Sequence, residues 1–146
     1  MRIFIFVTLA FLVSSCSQSK LADIIDNTSA MEIQFTDSSG TITGIYKSNF
    51  SGEINMLNKY FTGEQVPQNK CGYDGKIILK GKDTTQVFFS LKNKCQHISF
   101  TSNGSVFSED ISLEGISYLK KLRFKVSDIV PVPSQKTSNG TLNSAK

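Results

Sequence analysis

The chain has 146 residues, 39% hydrophobic and 19% charged, with 16 Lys+Arg against 12 Asp+Glu and a formal charge of +4. That length allows one domain with a real core, and a mild, scattered excess of base excludes the basic tract expected of a nucleic-acid partner. With 11 Phe and no Trp, the aromatic content suits a packed core better than a sugar-stacking platform.

Taken in order, the chain opens with a positive residue, Arg2. Residues 3–13 are apolar apart from Thr8, and the small residues Ser14 and Ser15 precede Cys16. This order is that of a secretory signal, and the run is too short for an ordinary bilayer-spanning helix. The ending Val13-Ser14-Ser15-Cys16 resembles the lipobox of bacterial lipoproteins: an aliphatic residue, two small ones, then the cysteine. The resemblance covers this segment alone. It implies cleavage after Ser15 and lipid on Cys16, with several acyl chains on one residue, which anchors stably where a single chain does not. Ser17 stands where many inner-membrane lipoproteins carry Asp, so the outer membrane is favoured in a cell with two. The expected division is a signal over 1–15, lipidated cysteine and tether over 16–30, one domain over 31–133 and a disordered tail over 134–146.

Within the tether, Ser17, Gln18 and Lys20 suit a spacer. Leu21, Ala22, Ile24 and Ile25 fit either a helical turn or an entering strand. Met31, Ile33 and Phe35 then alternate with Glu32, Gln34 and Thr36, the pattern of a half-buried strand. Ser38-Ser39-Gly40 is a turn, and a hairpin partner follows over 41–47, with Gly44 a weak point. Phe50, Ile54, Leu57 and Phe61 share a helical stripe, predicting a helix over 52–62. Ser51 is its candidate N-cap and Gly63 its left-handed terminator. A loop over 64–73 contains Pro67 and Cys71.

Strands are expected over 76–80, 86–91 and 95–102. Asn103-Gly104 is the preferred two-residue hairpin turn, because both residues tolerate positive φ. It sets Phe100 opposite Phe107, Ile98 opposite Glu109 and His97 opposite Asp110, one face greasy and the other polar. Ser112 caps a second helix in which Leu113, Ile116, Leu119 and Leu122 recur every third residue. Gly115 inside it points to close packing. Residues 126–132 suit a last extended piece, confined to an edge by Pro131 and Pro133. The fold implied is α+β in two layers: an antiparallel sheet of about four to six strands with two helices on one face.

With Cys16 assigned to lipid, Cys71 and Cys95 remain as a pair in an oxidising compartment, where a disulfide is expected. A simple meander holds the two strand starts one strand apart, so either the loop before residue 74 folds back or the strand order differs. Two free thiols are the alternative. Cys71, Cys95 and His97 make a poor metal site, for want of a fourth ligand and of paired Cys-x-x-Cys spacing. His97, the only histidine, reads as an exposed strand residue beside Asp110. No Gly-x-Ser-x-Gly, P-loop, dinucleotide fingerprint or calcium loop accompanies it. No catalytic residue, metal or cofactor is expected. The function implied is a non-enzymatic, lipid-anchored envelope module that meets the membrane through Cys16 and binds or assembles with another protein. The runner-up is a periplasmic or surface inhibitor of a hydrolase, acting through the 64–74 loop.

Overall fold

The computed structural model describes residues 19–68 and 71–127; the expected signal, Cys16, the last extended piece beyond Ser127 and the tail over 134–146 lie outside them. The elements run α1 (Ala22–Asp26), β1 (Ala30–Thr36), β2 (Ile42–Ser48), α2 (Ser51–Tyr60), β3 (Phe61–Gln65), β4 (Gly75–Lys80), β5 (Thr84–Ser90), β6 (His97–Ser102), β7 (Ser105–Ile111) and α3 (Leu113–Ser127). Every strand pair is antiparallel, in the order β2-β1-β4-β5-β6-β7-β3. The class is α+β as expected, but the sheet has seven strands rather than four to six, and three helices rather than two lie over it.

Strand alternation makes the layers. Met31, Ile33 and Phe35 on β1, Ile77 and Leu79 on β4, Val87 and Phe89 on β5, and Ile98 and Phe100 on β6 turn to one face and are buried. Leu21 and Ile25 around α1, Ile54 and Leu57 of α2, and Ile116, Leu119, Leu122 and Val126 of α3 join the same cluster. Each such side chain contributes on the order of 1.5–3 kcal/mol by leaving water. The Asn103-Gly104 turn forms with φ of 50° and 77°, and the expected register follows, with Phe100 opposite Phe107, Ile98 opposite Glu109 and His97 opposite Asp110.

The local readings diverge where tertiary contacts intervene. The helix expected over 52–62, α2, ends at Tyr60, and the chain passes directly into β3, a strand that sequence patterning does not show. Gly63 does adopt a positive φ of 72°, but as the kink of a strand whose register on β7 slips between Phe61 and Gln65, not as a helix cap. Ser51 is the first residue of α2; Phe50 occupies the cap position and no side chain bonds there. Ser112 does cap α3, its Oγ accepting the Gly115 N–H at 3.1 Å. A Cβ at Gly115 would stand 2.7 Å from Tyr60 Cβ, so the glycine is needed for this close approach. Leu113, which the three-residue recurrence placed on the packed stripe, is 83% exposed.

At the entry, the helical turn is the alternative that forms, as α1, and Leu21 and Ile25 are wholly buried. The folded body therefore begins ahead of Met31, and most of the expected tether belongs to it. Val126, expected in a final extended piece, lies in α3 and packs on Gly44 of β2.

Candidate functional site

The helices leave the outer face of the sheet to the connection between β3 and β4. This segment departs beside β7, where the Val66 N–H donates to the Ser108 carbonyl at 3.0 Å, and re-enters the sheet at β4, on the far side of β6 and β5 in the strand order. Cys71 and Cys95 are joined in a disulfide, their Cα atoms 6.3 Å apart. The β4-β5-β6 order is the simple meander, so the fold-back of the segment is what brings the two cysteines together. Lys92 Nζ donates to the Cys71 carbonyl at 2.7 Å.

Asp74 seals the return. Its N–H donates to the Phe89 carbonyl at 2.8 Å and its carbonyl accepts the Thr36 N–H at 2.9 Å. Its carboxylate accepts the Leu91 N–H at 2.8 Å and lies 3.5 Å from the Arg123 guanidinium. Gly75 follows because a Cβ there would meet the Gln34 carbonyl oxygen at 2.2 Å.

Held this way, Tyr73 lies on the sheet with its ring 5.3 Å from Phe88 and 5.9 Å from His97. This corrects the expectation for His97. Its register opposite Asp110 is as read, yet the side chain is 1% exposed. Its Nδ1 stands 2.9 Å from the Cys95 carbonyl. A carbonyl only accepts, so Nδ1 carries the proton and donates. Among the described residues Nε2 has no partner, nor do the buried hydroxyls of Ser90 and Ser108 on the flanking strands. The three cysteine and histidine side chains named as a possible metal site are thus otherwise engaged at two of three positions, Cys71 and Cys95 being bonded to each other. Among the described residues, no group of three or more His, Cys, Asp or Glu is placed to hold a metal.

The Tyr73–Phe88 pair stands as a ridge between two open grooves. One, of about 490 Å³, is lined by Thr84, Gln86, Ser99 and Thr101. The other, of about 310 Å³, is lined by Gln34, Thr36, Lys76 and Ile42 and reaches β2. Among the described residues, β2 is paired only with β1, so its other edge is open. Ile42 and Ile45, opposite Thr36 and Gln34, face outward and are 49% and 44% exposed. Beside them Glu32 contacts Lys80 at 3.2 Å and Lys47 at 3.6 Å. Hydrogen bonds from Gln34 and Lys80, with the charge of Lys47, hold its carboxyl below the usual range.

Two further polar clusters lie on the helix side. Glu53 of α2 accepts the hydroxyls of Tyr46 and Tyr118, each at 2.8 Å. Glu109 of β7 is fully buried, with partners at the entry of the chain. Of all these groups, sequence reading flagged Cys71, Cys95 and His97. The signal for Glu109 was present, since the Asn-Gly register places a carboxylate opposite Ile98 on the greasy face. Asp74-Gly75 reads as a turn and Phe88 falls on the face opposite Val87 and Phe89, but nothing local gathers them with Tyr73, because only the fold-back does so.

These features define a class: a two-layer α+β domain with a covered inner face, a braced outer face and an open edge. No family model, curated protein or solved structure matches the chain. Among the described residues, no helix is long and apolar enough to cross a membrane.

Proposed function

We propose that the chain is a non-enzymatic, lipid-anchored module of the bacterial cell envelope, at the outer membrane where two membranes exist, that binds a partner protein along β2 and the adjoining outer face. The anchor rests on Val13-Ser14-Ser15-Cys16. The observation that carries the binding reading is β2 itself, a seven-residue edge strand with Ile42 and Ile45 exposed. An open apolar edge is a template for another strand. A partner segment added there gains main-chain hydrogen bonds, and the groove up to the Tyr73–Phe88 ridge selects its side chains. The non-enzymatic reading draws support from His97, whose ring is shielded from solvent and bonded to the Cys95 carbonyl. The hydrolase-inhibitor reading draws less, because Tyr73 of the braced loop turns in on the sheet instead of outward.

The test is a photo-crosslinking residue at Thr43 of β2 in cells. One discrete protein adduct is expected in the membrane fraction. It should be lost with Ile42→Lys plus Ile45→Lys at an unchanged melting temperature, and lost from membranes with Cys16→Ser. An adduct that persists undiminished in the double-lysine variant, or none at all, refutes the edge as the binding surface.

A further inference from the structure

Glu109 sits on the core-facing side of β7, opposite Ile98, with no exposure. A carboxylate in that place is costly unless its oxygens are bonded. They are bonded to the start of the fold. Ser19 Oγ donates to Oε2 at 2.5 Å, and the Lys20 N–H donates to Oε1 at 2.9 Å. Gln65 Nε2 of β3 reaches Oε1 at 3.5 Å. Ser19 Oγ also accepts the Leu21 N–H at 3.1 Å, and Leu21 and Ile25 bury immediately behind. One buried carboxylate therefore fixes the point at which the chain enters the domain.

We propose that Glu109 is an anchor clamp, which presses the β3–β7 edge of the sheet against the lipid headgroups of the bilayer and turns the β2 edge away from it. The inference rests on the lipidation of Cys16 proposed above. Ser19 is three positions beyond Cys16, and three residues of extended chain span at most about 11 Å. A clamped Ser19 leaves the anchor no more slack than that. Sheet edges β3 and β2 are at opposite ends of a seven-strand order, about 29 Å apart at roughly 4.8 Å per strand. Lys20, exposed beside Ser19, adds a cation where headgroup phosphates are expected. The surface around Ser19, Lys20 and Gln65 is thus occupied by the membrane, and the edge proposed for a partner is presented at the far side.

The test uses the full lipidated protein with a fluorophore at Glu64→Cys on β3 or at Thr43→Cys on β2. It is reconstituted into phosphatidylethanolamine/phosphatidylglycerol vesicles that carry a headgroup-bound quencher. Quenching is expected to be several-fold stronger for the β3 label. Insertion of about a dozen Gly/Ser residues after Ser17 leaves the fold untouched and gives about 19 Å of slack, so the difference should collapse. Ser19→Ala with Glu109→Gln should collapse it as well; if that variant unfolds, the insertion still decides. Equal quenching in the unaltered protein, or a difference that survives the insertion, overturns the clamp. The mass of the protein recovered from the vesicles separates the two readings. A chain without lipid on Cys16 overturns the anchor and the clamp together, whereas lipidated protein with equal quenching overturns the clamp alone.

Discussion

Glu53 shows how one residue ties the helix layer to the sheet. Burial by itself raises its pKa, but hydrogen bonds from Ser48, Tyr118 and Tyr46 outweigh this and hold it below the ordinary carboxylate value. Burial first, then the bond to Glu53, pushes the Tyr118 phenol far above its usual range. A depressed folded-state pKa gives stability that is complete above the unfolded value of about 4.3 and is lost as pH falls through the folded one. Tyr118→Phe keeps the ring against Tyr60, 4.9 Å between centroids. It should cost about 1–2 kcal/mol at neutral pH and progressively less as pH falls below the unfolded carboxylate value and through the depressed folded-state one, where the carboxyl takes up a proton. Urea melts over a descending pH series check this, and a cost that does not change along the series would show that the bond to the carboxylate is not the cause. His97 calls for a different expectation from that of an exposed strand residue. Its Nδ1–H bond to Cys95 is buried, so His97→Gln should cost about 1–3 kcal/mol in a thermal melt. A loss within a few tenths of that of an exposed surface substitution would mean that the bond contributes nothing.

At the scale of elements, the segment between β3 and β4 owes its position to covalent and polar ties at both ends. The disulfide closes a separation of 24 positions, which stabilises by about 3–4 kcal/mol in the chain-entropy account. Cys71→Ser with Cys95→Ser should lower stability by about that amount. It should also expose His97, because the segment then loses its one covalent tie and Tyr73 keeps only the polar ties of Asp74 and of Lys92 to the Cys71 carbonyl, with its contact on Phe88. Modification of His97 by diethylpyrocarbonate, slow in the native protein, should become fast before global unfolding. Modification at the same slow rate in the double variant would show that Asp74 and the Phe88 contact suffice to hold Tyr73 down. β3 makes the complementary point. It has no alternation of its own, and it exists because β7 offers a free edge to the residues that follow α2.

For the whole molecule, the two sheet edges differ in length and in what lies beside them. β3 is short, kinked at Gly63 and next to the Glu109 clamp. β2 is longer, uncharged apart from Lys47, and open. The helices pack over one face, which leaves for recognition the outer face with its braced aromatic ridge and the edge beside it. On the proposed orientation the partner meets the module on the side away from the bilayer.

What the sequence determined by itself was everything set over a few residues. Alternation over 31–36 placed β1 and its buried face, since neighbouring strand residues point to opposite sides. Asn103-Gly104 set the β6–β7 register, since its left-handed conformations admit one turn. The α+β class and the pairing of Cys71 with Cys95 were legible too, the latter by elimination once Cys16 was set aside. Only the tertiary structure decided β3, the shielding of His97 by Tyr73 and the partners of Glu109. Ser19 and Glu109 are separated by 90 positions. No local propensity encodes which distant hydrogen-bond donors satisfy a buried carboxylate, because that depends on where the whole sheet brings its edge.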